Sequence, residues 1–151
     1  MNNNISVRLD TRRLNDILRT LTGNTDKVLK GIALMVETEA KISMAGPQSG
    51  AMYGKHRASA PGDPPAIDTG ALAGSIYTAT YTENKPPAEA TQVLPAPERN
   101  TVHVGPAVEY AEYLEFGTVN MAPRPFMQPA LNKVADAVRR DPSMFAEVVG
   151  G

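Results

Sequence analysis

The chain has 151 residues, of which 42% are hydrophobic and 5% aromatic, and its length suits a single domain with its own core. Its 15 basic and 16 acidic residues leave a formal net charge of −1, which argues against a protein that coats nucleic acid through a basic surface. The absence of cysteine excludes disulfides and thiolate metal sites. Neither an apolar signal core nor a run of bilayer length occurs, so we expect a soluble protein without membrane contact.

The first third of the chain predicts one strand and two helices. Apolar and polar residues alternate over 5–9, as in a half-buried strand. A helical apolar stripe follows over 11–22 and stops before Gly23. A longer helix is predicted from residue 24 or 25 to Met44. Four apolar residues recur at helical spacing along this helix: Val28, Ile32, Met35 and Ile42.

The middle of the chain is divided by proline and glycine. Residues 45–67 form a long loop, which in a compact domain is either functional or disordered. About one helical turn is expected over 71–75, followed by a strand over 76–82. Residues 83–99 carry four prolines and predict an irregular arm or hairpin tip. A second strand over 101–105 is expected to run antiparallel to the first.

The last part of the chain predicts two helices and a tail. The first helix covers 107–116 and is closed by Gly117, and the second ends at Arg140, with Pro129 in its first turn. Phe126 is predicted to anchor the start of the second helix in the core. The sequence therefore predicts an α+β fold, with a small, mostly antiparallel sheet, helices on one side and long Pro/Gly-rich loops. Residues 1–140 form the single domain, and 141–151 form a C-terminal tail.

Residue types that carry chemistry are few. His103 falls within a strand and is interpreted as structural, whereas His56 in the long loop suits a solvated or partner-facing role. Asp63 and Asp68 flank a Pro-Pro pair and could bind a metal or act as acid and base. We favour a turn role for Asp63 and a helix-capping role for Asp68.

The segment 107–117 combines acids and aromatic residues. Three glutamates occur at intervals of three residues, and we interpret them as a solvated helix face rather than a cation site. Three aromatic residues in the same segment, Tyr110, Tyr113 and Phe116, are interpreted as core packing rather than as a platform for bases. No catalytic residue, metal site or cofactor is predicted. Physical chemistry thus favours a non-enzymatic interaction or assembly module.

Two short runs resemble the two motifs of one protein family. The first, from Arg57 to Leu72, reads Arg-Ala-Ser-Ala-Pro-Gly-Asp-Pro-Pro-Ala-Ile-Asp-Thr-Gly-Ala-Leu and continues to Ser75-Ile76. The second begins at Val104-Gly105-Pro106, passes through Tyr-Ala-Glu-Tyr-Leu-Glu-Phe-Gly-Thr at 110–118 and ends with Arg-Pro-Phe-Met-Gln-Pro-Ala-Leu at 124–131. Their order and spacing are similar to those of the neck, tail-completion or head–tail joining proteins of long-tailed bacteriophages, over residues 1–140.

The resemblance implies a structural virion protein of the phage neck. Such a protein completes head–tail joining by forming a cyclic ring, expected to be a hexamer, around the DNA channel. Its implied partners are other copies of itself, a head-closure or connector protein, and a tail terminator or tail tube protein. DNA would pass through the lumen without sequence-specific binding. The implied location is the virion neck or tail, after assembly in the cytoplasm of the host bacterium.

A ring with heterologous contacts needs two different complementary faces on each subunit. We expect these faces in the two irregular segments, 46–67 and 83–99, and near the second motif. The predicted interface residues are Tyr53, His56, Arg57, Pro61, Asp63, Pro64, Pro86, Pro87 and Arg124. Two alternatives stay open: a tail terminator or minor tail protein, and a small hydrolase using Asp63, Asp68 or His56.

Overall fold

The computed structural model describes residues 7–8 and 25–145. The strands are β1 (Val7–Arg8), β2 (Met52–Tyr53), β3 (His56–Arg57), β4 (Ile76–Thr80) and β5 (Val102–Pro106). The helices are α1 (Thr25–Ala45), α2 (Ala71–Ser75), α3 (Ala111–Phe116) and α4 (Met127–Arg140), and a 3-10 turn follows at Pro142–Phe145. The helix predicted over 11–22 lies outside the described residues. The predicted α+β class with small antiparallel sheets is confirmed.

The main sheet has three strands in the order β1-β5-β4, and all its pairings are antiparallel. Thr78 pairs with Val104, so alternate residues of β4 and β5 point to opposite sides of the sheet. One side packs against α1, which in turn packs against α4. The predicted second strand over 101–105 runs from Val102 to Pro106, because a strand tolerates proline at a position that donates no ladder hydrogen bond.

Helix α1 supplies the largest apolar surface of the core. Seven of its side chains are buried: Val28, Leu29, Ile32, Ala33, Val36, Ala40 and Met44. The predicted start and end of this helix are confirmed to within one residue. Ile42, predicted to belong to the buried stripe, is exposed instead. The buried stripe passes instead through Ala40 and Met44.

The second side of the sheet is covered by the irregular segment 83–99. Leu94 is buried against Tyr77, Ala79 and Ala107. The Tyr77 hydroxyl accepts a hydrogen bond from the Leu94 amide at 2.8 Å and donates one to Asn84 Oδ1 at 2.9 Å. Burial raises the pKa of Tyr77, and the Leu94 hydrogen bond offsets part of that rise. The prediction that this segment is an arm is therefore wrong, since Leu94 is buried against the sheet and bonded to Tyr77.

Three boundaries differ from the sequence predictions. The loop over 45–67 contains the β2–β3 hairpin, with Met52 opposite Arg57 and Tyr53 opposite His56. Strand β4 ends at Thr80, where Thr80 and Glu83 close a turn. Helix α3 begins at Ala111 rather than 107, because Ala107 and Val108 are buried in the link from the sheet. The predicted role of His103 is supported by its position in β5, where its Nδ1 contacts the Pro95 carbonyl at 2.7 Å.

Candidate interaction surface

The first motif begins as an extension of the hairpin. Backbone hydrogen bonds continue past β2 and β3, from the Ala58 amide to the Ala51 carbonyl and from the Gly50 amide to the Ala58 carbonyl. A Cβ on Gly50 would lie 2.5 Å from the Ala58 carbonyl oxygen. Glycine is therefore required at position 50 for the two strands to approach each other. This close approach fixes the position of the base of the hairpin, where residues 50–51 pair with Ala58.

Asp63 holds this loop together. One carboxylate oxygen accepts hydrogen bonds from the Ser49 hydroxyl at 2.6 Å, from the Ser49 amide at 3.0 Å and from the Ala60 amide at 3.0 Å. The Ser49 hydroxyl, the two amides and the charge of Arg124 together lower the pKa of Asp63 below its ordinary value of 3.8. The predicted turn role of Asp63 fits these contacts, which also span fourteen residues of sequence.

The Asp63 contacts predict an acid-sensitive loop. Because the folded-state pKa is depressed, the stabilisation is complete above 3.8 and is lost as the pH falls through the folded value. The melting temperature of Asp63→Asn is expected to lie below that of the wild type at neutral pH, and the difference is expected to shrink toward about pH 3. Thermal unfolding followed by circular dichroism measures both. Asp68→Asn is the control, since Asp68 is exposed, and a constant Asp63→Asn difference across this pH range would contradict the prediction.

The second motif turns sharply between α3 and α4. Gly117 follows α3 with φ +74°, and a Cβ there would lie 2.6 Å from the Met121 carbonyl oxygen. Both the positive φ and the close approach require glycine. The Thr118 amide then bonds to the Met121 carbonyl at 2.8 Å, and the Arg124 amide returns to the Leu114 carbonyl at 2.7 Å. The chain is thereby folded back onto α3 before α4 begins.

Glu115 joins the two helices of this motif. Its carboxylate accepts hydrogen bonds from the backbone amides of Phe126 at 2.8 Å, Met127 at 3.0 Å and Gln128 at 2.9 Å. These are amides at the N-terminus of α4 that have no partner within the helix. Glu115 is 5% exposed, so the prediction that it belongs to a solvated face is wrong. The carboxylate also lies at the positive end of the α4 dipole, which favours it there.

The Glu115 contact was detectable in part from the sequence. No Ser, Thr, Asp or Asn precedes α4 at the position of a capping residue, where Arg124-Pro125-Phe126 stand instead. An acceptor for the first amides therefore had to come from another segment. The missing capping residue indicates that the first amides of α4 need an acceptor from elsewhere. Only the fold of the α3–α4 turn identifies Glu115 as that acceptor.

The two motifs bind each other directly. The Gly62 amide donates to the Pro123 carbonyl at 3.0 Å, and the Arg124 guanidinium donates to the Ser59 carbonyl at 3.2 Å. Between them lies an open cavity of about 380 Å³. It is lined by the end of α1, the loop 58–70, α2 and one side of α3, and its polar side chains include His56, Asp68 and Arg124. The two runs of sequence thus form one continuous surface.

The predicted interface residues fall into two groups. Six of them lie in the hairpin or the loop that follows it, and Arg124 donates to Ser59 of that loop: Tyr53, His56, Arg57, Pro61, Asp63, Pro64 and Arg124. Among these, the first four are exposed, and Asp63, Pro64 and Arg124 are half-buried. Pro86 and Pro87 lie instead in the segment that covers the second side of the sheet. The structure therefore places seven of the nine residues in the hairpin, its loop and the segment bound to that loop, and it places the two prolines elsewhere.

The aromatic residues of the second motif were assigned to the wrong environment. Tyr113 is 56% exposed and Phe116 is 66% exposed, and Tyr110 is also exposed. The buried side of α3 carries Ala111 and Glu115 instead. Periodicity placed the aromatic side chains inside because it could not show which side of so short a helix meets the core. Val119, beyond the helix, is also fully exposed.

The arrangement of acids bears on the hydrolase alternative. Asp63 is occupied by its three hydrogen bonds, and Asp68 is exposed at the cavity wall. The prediction that Asp68 caps α2 is wrong, because the Ala71 amide donates to Thr69 Oγ1 and Gly70 occupies the cap position. Within residues 25–145, no group of three His, Asp or Glu side chains is placed to hold a metal ion.

Comparison with known proteins adds no relative. No protein-family model, curated protein or solved structure was found to match the chain. None of the described helices combines the length and the apolar character that a membrane span requires.

Proposed function

We propose that this protein is a structural component of the neck of a long-tailed bacteriophage. In this role it forms a ring between the head-closure complex and the tail, and it completes head–tail joining around the DNA channel. The proposal begins from the resemblance of the two motifs at 57–76 and 104–131. The observation that carries it is the direct contact between these motifs, from Gly62 to Pro123 and from Arg124 to Ser59.

This contact supports the proposal because it shows that the two motifs build one surface together. Two runs separated by about thirty residues of unrelated sequence need not meet in the fold. Here they form a surface whose backbone is fixed by Asp63, Gly117 and Glu115, while its aromatic and basic side chains stay exposed. A rigid frame that presents Tyr, Phe, Met and Arg side chains is typical of a protein-binding surface.

The charge of the chain is also compatible with a DNA channel. A formal net charge of −1 gives little general attraction to phosphate, so DNA would slide past without being held. The ring itself would be closed by heterologous contacts, in which each subunit offers one surface to each neighbour.

Deletion of the gene in the phage genome tests this proposal. We expect heads filled with DNA and tails of normal length to accumulate without joining, as seen by electron microscopy of the lysate. Expression of the wild-type chain from a plasmid should restore joined particles. Missing or overlong tails would instead favour a tail terminator, and normal infectious particles would contradict both roles.

A further inference from the structure

The β2–β3 hairpin is exposed on both of its faces. All residues from 51 to 57 are exposed, and Tyr53 keeps 69% of its surface open to solvent. A two-stranded hairpin with no covered face is marginally stable in water, so its apolar side chains favour a covering partner. Residues 52–57 include Lys55 and Arg57 and no acid. We call residues 52–57 the basic hairpin.

The outer surface of α3 has the opposite charge. Glu109 and three aromatic residues are exposed on the helix and the turn before it, and Glu112 is half-buried there. Neither lysine nor arginine occurs from 107 to 117. Glu115 points inward to α4, so it does not contribute to the outer charge. We call the five outer residues the acidic–aromatic face: Glu109, Tyr110, Glu112, Tyr113 and Phe116.

We propose that the basic hairpin of one copy of the chain binds the acidic–aromatic face of a second copy. This inference rests on the proposed function and names the contact that would join neighbouring subunits. Lys55 and Arg57 of the hairpin face Glu109 and Glu112, and Met52 and Tyr53 gain cover from Tyr113 and Phe116. Within the described part of a single chain, both surfaces stay open, so one copy does not satisfy them by itself.

Charge complementarity is what selects a second copy as the occupant. The chain is nearly neutral overall, yet its exposed apolar side chains here are divided between a basic patch and an acidic patch. Opposite charges around apolar centres fix the register of an interface and raise the rate of correct encounter. DNA does not suit the acidic–aromatic face, because its phosphates would be repelled by Glu109 and Glu112.

The natural absence of cysteine allows a direct test. Tyr53→Cys and Tyr113→Cys each replace one exposed side chain, so both variants are expected to fold, which circular dichroism checks. The two single variants are mixed as purified full-length chains, and both are also co-expressed with the phage genes during infection. The Tyr113→Cys chain carries a short tag, and after mild oxidation we expect a disulfide-linked dimer of the mixed mass on a non-reducing gel, distinct from either homodimer. Tyr81→Cys, also exposed but outside both surfaces, replaces Tyr53→Cys as the matched control and should give no dimer above background.

Charge exchange gives a second measurement. Lys55→Glu in the Tyr53→Cys chain is expected to lower the dimer yield about threefold to tenfold, and Glu112→Lys in the Tyr113→Cys chain should restore it. Lys55 is chosen because Arg57 also donates to the Gly50 carbonyl within its own loop. Absence of the mixed dimer both in solution and during infection would overturn the inference, as would a dimer yield that is equal for the Tyr81→Cys control.

The double variant Tyr53→Cys/Tyr113→Cys separates this inference from the proposed function. A ladder of linked chains that ends at the ring size supports both. Linked pairs that grow no further support the contact between copies but contradict a ring. A ring seen in purified necks without any cross-link supports the proposed function and overturns this inference.

Discussion

Replacement of Glu115 by alanine is expected to lower the free energy of unfolding by at least about 2 kcal/mol. The change removes the carboxylate that accepts hydrogen bonds from the amides of Phe126, Met127 and Gln128. Each buried amide that is left without a partner costs about 1–3 kcal/mol. It also removes a negative charge from the positive end of α4. Urea unfolding followed by circular dichroism measures the loss.

Glu112→Ala is the matched control, three residues earlier on the same helix but outside this network. A surface substitution of this kind is expected to change the free energy of unfolding by no more than about 0.5 kcal/mol. Glu115→Gln should fall between the two, because an amide keeps one acceptor oxygen and introduces a donor facing the same backbone amides. Equal stabilities of Glu115→Ala and Glu112→Ala would show that water or the backbone satisfies the start of α4.

Replacement of Phe126 by alanine is expected to cost about 3–5 kcal/mol. Phe126 is 0% exposed and is among the largest fully buried side chains of the core. It lies at the cap position of α4, so the cavity left by its ring would open where α4 joins the rest of the core. The surrounding backbone is held by Glu115 and cannot collapse freely into that space. The free energy of unfolding of the purified variant, again from urea titration, gives the cost.

Phe116→Ala is the control for Phe126→Ala, since it removes the same ring from a surface position. We expect it to change the stability of the isolated chain little. If the acidic–aromatic face binds a second copy, the same variant should reduce association while leaving the fold intact. A stability loss of equal size in both variants would contradict the burial difference between the two rings.

The sequence determined the helices and strands that build the main sheet and core. The period of apolar residues located α1 and α4, because a long amphipathic helix repeats its buried face over several turns. Alternation and β-branched residues located β4 and β5 and their antiparallel pairing. Phe126 was identified as a core anchor from its place just before α4, and its burial confirms that prediction.

Short elements were less predictable. Helix α3 has six residues, fewer than two turns. Over so short a length, the spacing of apolar residues does not show which side of the helix is buried. Tyr113 and Phe116 were therefore predicted inside and Glu115 outside, the reverse of what the structure shows. The hairpin at 52–57 was hidden in a glycine-rich loop, because strands of two residues carry no measurable alternation.

The class of fold, the main helices and the two motifs could be read from the sequence, since these depend on local propensity and on apolar periodicity. Three features became visible only in the folded chain: the motifs meet, the segment 83–99 covers the sheet, and Glu115 holds the start of α4. Each of these features is a hydrogen bond or a contact between residues far apart in the chain, and its formation depends on where the packed core places both partners.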